Sequence, residues 1–373
     1  MSIARPPSSC RFRQGALVAR QSGFSLVELM VAATISLLMM VAILQLLLDI
    51  SRTNDDMART NAQTENARFA IQMFGQDLVH AGFWDGYIPQ YDDLVSTGMP
   101  AGYPAQFLAP DPCASFAGLG LSAKENLLRM PVQSYSAMPS TCTSSLSGYK
   151  TGTDVLVVRY ANTCVAGAAG CAAIEANRVY FQTTTCATAS PYGFVLDTTG
   201  FSLTKMDCLS LADRRLLVSH IYYIRNDNTL MRASFVGGTS EWQVQPLVDG
   251  VEHMVIELGV DNLSDTGQAV NYAQAVSWAD PLTKRTPQNR GDGEPDGAFV
   301  RCANTGCTVD QLLNVVAAKI HLLVRNPEAT PGYTDSKSYT LGSVTLTPGG
   351  GFKRHLYSTS IRLHNVAGRR ETP

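Results

Sequence analysis

The chain has 373 residues, of which 45% are hydrophobic and 16% charged, and its 29 Lys and Arg nearly balance 31 Asp and Glu. A formal net charge of −2 leaves no electrostatic footprint for nucleic acid. The nine cysteines and six histidines include no Cys-x-x-Cys or His-Glu-x-x-His spacing, which excludes the common sequence signatures of a zinc site.

The first 23 residues carry Arg5, Arg11, Arg13 and Arg20 and no acid. From Leu29 to Leu48 there is no charge at all, and only Thr34, Ser36 and Gln45 are polar. Twenty helical residues rise about 30 Å, the hydrocarbon thickness of a bilayer. By the positive-inside rule the basic end stays in the cytoplasm and the rest of the chain is exported. No Ala-x-Ala junction follows the apolar run, so removal of the run as an ordinary secretory signal is not expected. The small-residue junction is Gly23-Phe24, in front of it, where a cut would remove the charges and keep the helix. That cut leaves 25 basic residues against 31 acidic ones, a formal charge of −6, and eight cysteines once Cys10 is lost.

Glu28 stands at the start of the span. In the first helical turn an acid is favoured by the macrodipole by a few tenths to one kcal/mol. In lipid an ionised carboxylate is costly unless paired, so an acid here also wants a cation.

No Gly or Pro interrupts the sequence from Phe24 to Phe74, and Ala67, Ile71, Phe74, Leu78 and Ala81 draw one apolar stripe. The helix is expected to run from Phe24 to Ala81, on the order of 85 Å, and to stop at Gly82. From Tyr87 to Gly152 the composition turns to Pro, Gly, Ser, Thr and Cys, which reads as an irregular insertion pinned by Cys113 and Cys142.

Strand signals follow at 154–160, 178–183, 216–224, 229–235, 254–260, 316–324 and 357–363, with a turn at Arg225-Asn226-Asp227-Asn228. Their alternation predicts half-buried strands of a largely antiparallel sheet. The even cysteine count of an exported chain, Cys113, Cys142, Cys164, Cys171, Cys186, Cys208, Cys302 and Cys307, reads as disulfides, with Cys164 to Cys171 and Cys302 to Cys307 as short local loops.

Gly23-Phe24-Ser25-Leu26-Val27-Glu28 before an apolar helix resembles the class III signal of type IV prepilins. The resemblance implies that a prepilin peptidase cuts after Gly23 and methylates the new amine of Phe24, and that Glu28 pairs with the Phe24 amine of a neighbouring subunit. Glu65-Asn66-Ala67-Arg68-Phe69-Ala70, then Asp77-Leu78 and Ala81-Gly82-Phe83-Trp84, resemble the helix end of PilW-type minor pilins. So do Tyr222-Tyr223-Ile224-Arg225, Val248-Asp249-Gly250-Val251-Glu252, Gly259-Val260-Asp261, Leu323-Val324-Arg325 and Arg362-Leu363-x-Asn365, in that order.

The fold class expected is α+β: a long N-terminal helix on a largely antiparallel sheet, with irregular disulfide-bonded insertions. The divisions expected are a cleaved leader at 1–23, a transmembrane and pilus-core helix at 24–50, an amphipathic helix at 51–82 and an exported head at 83–373. Family resemblance implies a non-enzymatic minor pilin that primes pilus assembly at or near the tip. It sits in the inner membrane with a periplasmic head before assembly and at the cell surface afterwards. The implied partners are the prepilin peptidase, other minor pilins, the major pilin, the assembly platform and a large tip adhesin. A minor pseudopilin of type II secretion is the alternative within the same machinery, and a membrane-tethered exported enzyme or binding module is the alternative outside it.

Other motifs carry less. No nucleophile elbow, Walker loop or cofactor motif is expected, and Gly118-x-Gly120-x-x-Ala123 lacks the preceding strand of a dinucleotide site. Asp292, Glu294 and Asp296 have the spacing of a calcium loop's opening, but its twelfth position is Ala303 in place of an acid. Arg290-Gly291-Asp292 is a tripeptide in a polar stretch.

Overall fold

The computed structural model describes residues 23–89, 94, 102, 103, 105–188, 193–237 and 241–371. Residues 1–22, with the four leader arginines and Cys10, and part of the expected insertion lie outside them. The chain divides into two compact units, Met1–Met57 and Ala58–Pro373.

In the first unit the described residues are helical from Leu26, within helix α1 (Leu26–His80), and every side chain from 23 to 55 is exposed. This apolar stretch has a mean hydropathy of 2.5 over 18 residues, none of it buried. A helix apolar on all sides requires lipid or other helices around it.

The second unit begins with the rest of α1. Ala67, Ala70, Phe74, Leu78 and Ala81 are fully buried, and two polar residues, Gln63 and Asp77, are buried on the same face. The helix ends at His80, one residue before the expected Ala81.

Among the described residues this unit has two main sheets, where the sequence suggested one. The larger contains β1 (Val132–Tyr135), β2 (Val155–Val165), β3 (Tyr180–Thr183), β4 (Phe194–Asp197), β5 (Arg215–Ile224), β6 (Thr229–Phe235) and β7 (Trp242–Asp249). The smaller has β8 (Val251–Val260), β9 (Val315–Arg325) and β12 (Arg354–Arg362), in the order β12-β9-β8. Every pairing is antiparallel. The division falls at Gly250, which joins β7 to β8 at φ 83° and whose missing Cβ would lie 2.8 Å from the Arg325 carbonyl oxygen. Only glycine turns the chain there without strain.

One core joins the buried face of α1 to both sheets, through Tyr222 and Ile224 of β5, Met254 and Ile256 of β8, and Ile320 and Leu322 of β9. The expectation of half-buried strands fails for β8 and β9, because their outer face is covered too. Val255 and Leu323 pack beneath Tyr339 and Leu341, which belong to the hairpin of β10 (Tyr339–Leu341) and β11 (Val344–Leu346). Gly259 lies under Pro295 and Phe299, within 3.0 Å of where its Cβ would be.

The insertion is not wholly irregular either. It contains α2 (Leu121–Arg129) and β1, which pairs with β2 from Val132 opposite Val158 to Tyr135 opposite Val155. A four-residue strand and a nine-residue helix are too short to show a period amid Pro, Gly and Ser.

Candidate functional site

At the helix start, Phe24 is 85% exposed and Ser25 opens the first turn, its carbonyl accepting from the Leu29 amide at 3.1 Å. The Glu28 carboxylate accepts from the Ser25 amide at 3.0 Å. That is the reaching-back half of a capping box, and it satisfies one of the helix's orphan donors. Glu28 therefore has a local role within the chain, as well as a charge presented on an otherwise apolar, exposed surface.

The outer part of α1 is fixed to the rest of its unit by polar side chains, some buried and some at the edge of the contact. Arg59 donates to Glu328 at 2.9 Å, Gln63 donates to the Val324 carbonyl at 2.5 Å, and Asn66 donates to the Asp249 carbonyl at 3.1 Å. Asp77 is only 4% exposed and accepts from the hydroxyls of Tyr160 at 2.8 Å and Tyr222 at 2.5 Å, with His220 Nδ1 also at 2.5 Å. Burial pushes the Asp77 carboxyl upward, but the hydrogen bond and charge of His220, helped by Tyr222 and Tyr160, outweigh it and hold Asp77 below its ordinary value. Burial first, and then the Asp77 charge, push both tyrosines upward.

The corner after α1 is built from its sequence neighbours and from the chain's far end. Gly82 has φ 73°, its amide donates to the Arg159 carbonyl at 3.1 Å, and a Cβ on it would meet Val366 Cγ2 at 2.8 Å. Asn365, in α4 (His364–Arg370), donates to the Val79 carbonyl at 3.0 Å and so caps the open end of α1. Arg370 donates to Asp261 at 3.1 Å, to Asn314 at 2.9 Å and to the Leu313 carbonyl at 2.6 Å, tying α4 to the smaller sheet.

Four disulfides brace the unit: Cys113 with Cys142, Cys164 with Cys171, Cys186 with Cys208, and Cys302 with Cys307. The calcium candidates are not brought together. Asp292 accepts from the Glu294 amide and Asp296 from the amides of Asn262 and Leu263, so two of the carboxylates serve backbone turns. Among the described residues no group of three His, Cys, Asp or Glu side chains could hold a metal. Arg290 is buried and donates to the carbonyls of Asn271, Asn289 and Gln274, which removes it from any surface tripeptide.

Sequence reasoning assigned no buried partner to Asp77, His220 or Gln63. The signal was present for two of them. Gln63 and Asp77 interrupt the apolar face of α1 at helical spacing, and a polar residue on such a face implies a buried partner.

The N-terminal segment matches the Prokaryotic N-terminal methylation motif over residues 18–44. The Type IV Pilus-assembly protein W family matches over 221–365, a span that includes Tyr222, Asp249, Asp261 and Asn365. No curated protein matches the chain. A solved type IV-like pilin from Thermus thermophilus is similar at 13% identity and a TM-score of 0.30, covering 82% of this chain and 97% of that one. With a methylation motif on its apolar helix and a PilW match across its sheets, the chain is similar to PilW proteins of the type IV pilus over those two stretches.

Proposed function

We propose that the protein is a minor pilin that is cut after Gly23, methylated on Phe24 and assembled at or near the pilus tip, where it helps prime growth of the filament. The observation that carries this reading is the unpartnered apolar part of α1, continuous in helix with a segment whose buried face is bolted to the sheets through Gln63 and Asp77. Such a helix exchanges lipid for other helices at little hydrophobic gain, so association depends on packing and on polar pairing. Glu28 is the acid available in that segment, and the Phe24 amine of the adjacent subunit is the cation it would meet.

Residues 24–50 act as the membrane and filament-core segment, and the sheets form an exported head. The head of about 290 residues has a compact radius of gyration of about 19 Å, against roughly 14 Å for one of about 120 residues. A head that wide crowds its neighbours within a shaft and is relieved of that crowding at an end. Its partners are the peptidase, the other minor pilins, the major pilin, the assembly platform and a tip adhesin.

The test is the N-terminus and intact mass of the chain recovered from cells with and without the prepilin peptidase. A mature chain starting at N-methylated Phe24, formed only when the peptidase is present, is expected. Mature protein that retains the leader, or is cut beyond Leu48, overturns the proposal. Antibody against the head on sheared pili tests the position: label at one end supports it, and uniform label along the shaft overturns it.

A further inference from the structure

β12 is an edge of the smaller sheet, paired with β9 over nine residues without a register shift. The ladder continues past both ends, where the Asn326 amide donates to the Lys353 carbonyl at 3.0 Å and the Leu363 amide to the Val316 carbonyl at 2.8 Å. Backbone groups alternate in direction along an antiparallel strand, so Tyr357 and Thr359 face β9 while Leu356, Ser358 and Ser360 turn theirs outward. Among the described residues no hydrogen bond meets these outward amides and carbonyls, and all three residues are exposed.

The other edges of the two main sheets are covered or short. On the far edge of the same sheet, the Met254 carbonyl accepts from the Asp154 amide at 2.9 Å and the Ile256 amide donates to the Asp154 carboxylate at 2.8 Å. Leu258 exchanges both backbone bonds with Val300 at 2.8 Å. In the larger sheet β1 and β4 have four residues each, and β7 contains Pro246 beside a register shift. These are devices that keep a sheet from adding strands. β12 has none of them: it is regular and carries no Pro, Gly, Lys or acid.

The chemistry of an added strand follows from the surroundings. Tyr357 and Ile361 are half-buried against the core beside α1, so a strand laid along β12 meets them with apolar side chains at alternate positions. From Lys353 to His364 there are three cations, two histidines and no acid, which disfavours Lys or Arg in that strand. Antiparallel pairing of β12 with its own copy would turn the two α1 helices end for end, because α1 runs alongside β12 from Gln63 near Lys353 to Val79 near Asn365. Two membrane-anchored copies share one orientation, so the occupant is a different chain. This exclusion rests on the membrane-anchored reading of α1, which the N-terminal mapping above tests separately.

From the open backbone of Leu356, Ser358 and Ser360, we infer that β12 is the docking edge for an antiparallel strand of another protein, with apolar residues at alternate positions and no Lys or Arg. In such strand addition, main-chain hydrogen bonds supply affinity and the alternate side chains supply specificity.

The experiment places a photo-crosslinking benzoylphenylalanine at Leu356 of the full chain, 38% exposed beside the open edge, and irradiates intact cells. An adduct to another protein is expected, its peptide mapping to an extended segment of that pattern. Ser360→Pro removes one outward N–H and leaves the ladder to β9, as proline does on an edge strand. It should abolish the adduct while thermal unfolding of the purified chain in detergent is unchanged, and Ser358→Pro serves if that variant fails to fold. No adduct, an adduct to a second copy of this chain or to a helical or lysine-rich segment, or an undiminished adduct in a folded proline variant overturns the inference.

Discussion

The hydroxyl of Tyr222, near the C-terminal end of β5, donates a 2.5 Å hydrogen bond to the carboxylate of Asp77 on α1. The two residues are 145 positions apart in sequence, and their contact joins the helix to the larger sheet. Phe74, one turn earlier on α1, packs its ring at a tilt of 53° against the same tyrosine, 4.8 Å between ring centroids. Tyr222 thus meets the helix with both its ring and its hydroxyl.

Asp77→Asn should therefore loosen the helix from the sheets. It removes the charge that accepts from Tyr160, Tyr222 and His220 and leaves a buried amide with donors facing donors, a loss of about 2 kcal/mol. The acid dependence should change as well. The folded carboxyl lies below its ordinary 3.8, so its contribution is full above that value and is lost as pH falls through the lower folded value. Chemical denaturation of wild type and variant at pH 7 and between pH 4 and 2 checks both. The variant should lose stability at pH 7 and show a shallower acid decline.

His253 gives a different pH window. Burial, then the charges of Lys150 and Arg301, lower it from 6.5 to about 4, and its buried Nδ1 has no hydrogen-bond partner. The unfolded chain binds this proton first, so its neutral form supports the fold fully above 6.5, and that support falls away as pH drops to about 4. His253→Phe should flatten the stability profile in this interval and leave the lower Asp77 limb in place. An unchanged slope between pH 6.5 and 4 would show that another group titrates there.

Gly82→Ala should cost more than about 1 kcal/mol, because a Cβ is strained at φ 73° and collides with Val366. Adding Val366→Ala should recover the collision and leave the backbone strain. Denaturation of the single and double variants separates the two contributions, and equal stability of Gly82→Ala and wild type would contradict them.

Removing Cys113 and Cys142 as a pair of serines opens a loop with a sequence separation of 29, and removing Cys164 and Cys171 one of 7. Loop-closure entropy puts the first at about 3.5 kcal/mol and the second at about 2.5 kcal/mol. Denaturant midpoints of the two double variants should fall in that order. Mass mapping without reductant should recover all four links and no free thiol among the eight cysteines.

Gly23→Glu should leave the leader attached, since a bulky charged side chain at the scissile bond replaces a hydrogen. Glu28→Ala should be cut normally and keep its head folded, with only its entry into pili reduced. The basis is that Glu28 holds the Ser25 amide of its own first turn. Immunoblots of whole cells and sheared pili check the pair. Full incorporation of Glu28→Ala would show that the carboxylate is dispensable.

The long helix was legible because 51 residues without Gly or Pro, from Phe24 to Phe74, carry a helical pattern that no neighbour needs to enforce. Most strands of the two sheets could be read from their Val, Ile, Leu and Tyr content. β1, β4, β7, β10 and β11 could not, since they are short or polar and exist by pairing with a partner strand. Their formation depends on register with residues that a local window does not contain.

The sequence by itself determined the apolar span, the Gly23-Phe24 junction, the position of Glu28 and the stripe from Ala67 to Ala81, because each is a local run or period. The tertiary structure alone decided that Gly250 divides the strands into two sheets, that Asp77 belongs to His220 and the two tyrosines, and that Asn365 caps a helix ending 285 positions earlier at His80. It also left the Nη2 nitrogen of Arg159 without a hydrogen-bond partner. The physical reason is common to all four. A buried polar group is defined by which partner reaches it, and that partner is brought near only when distant segments share one core.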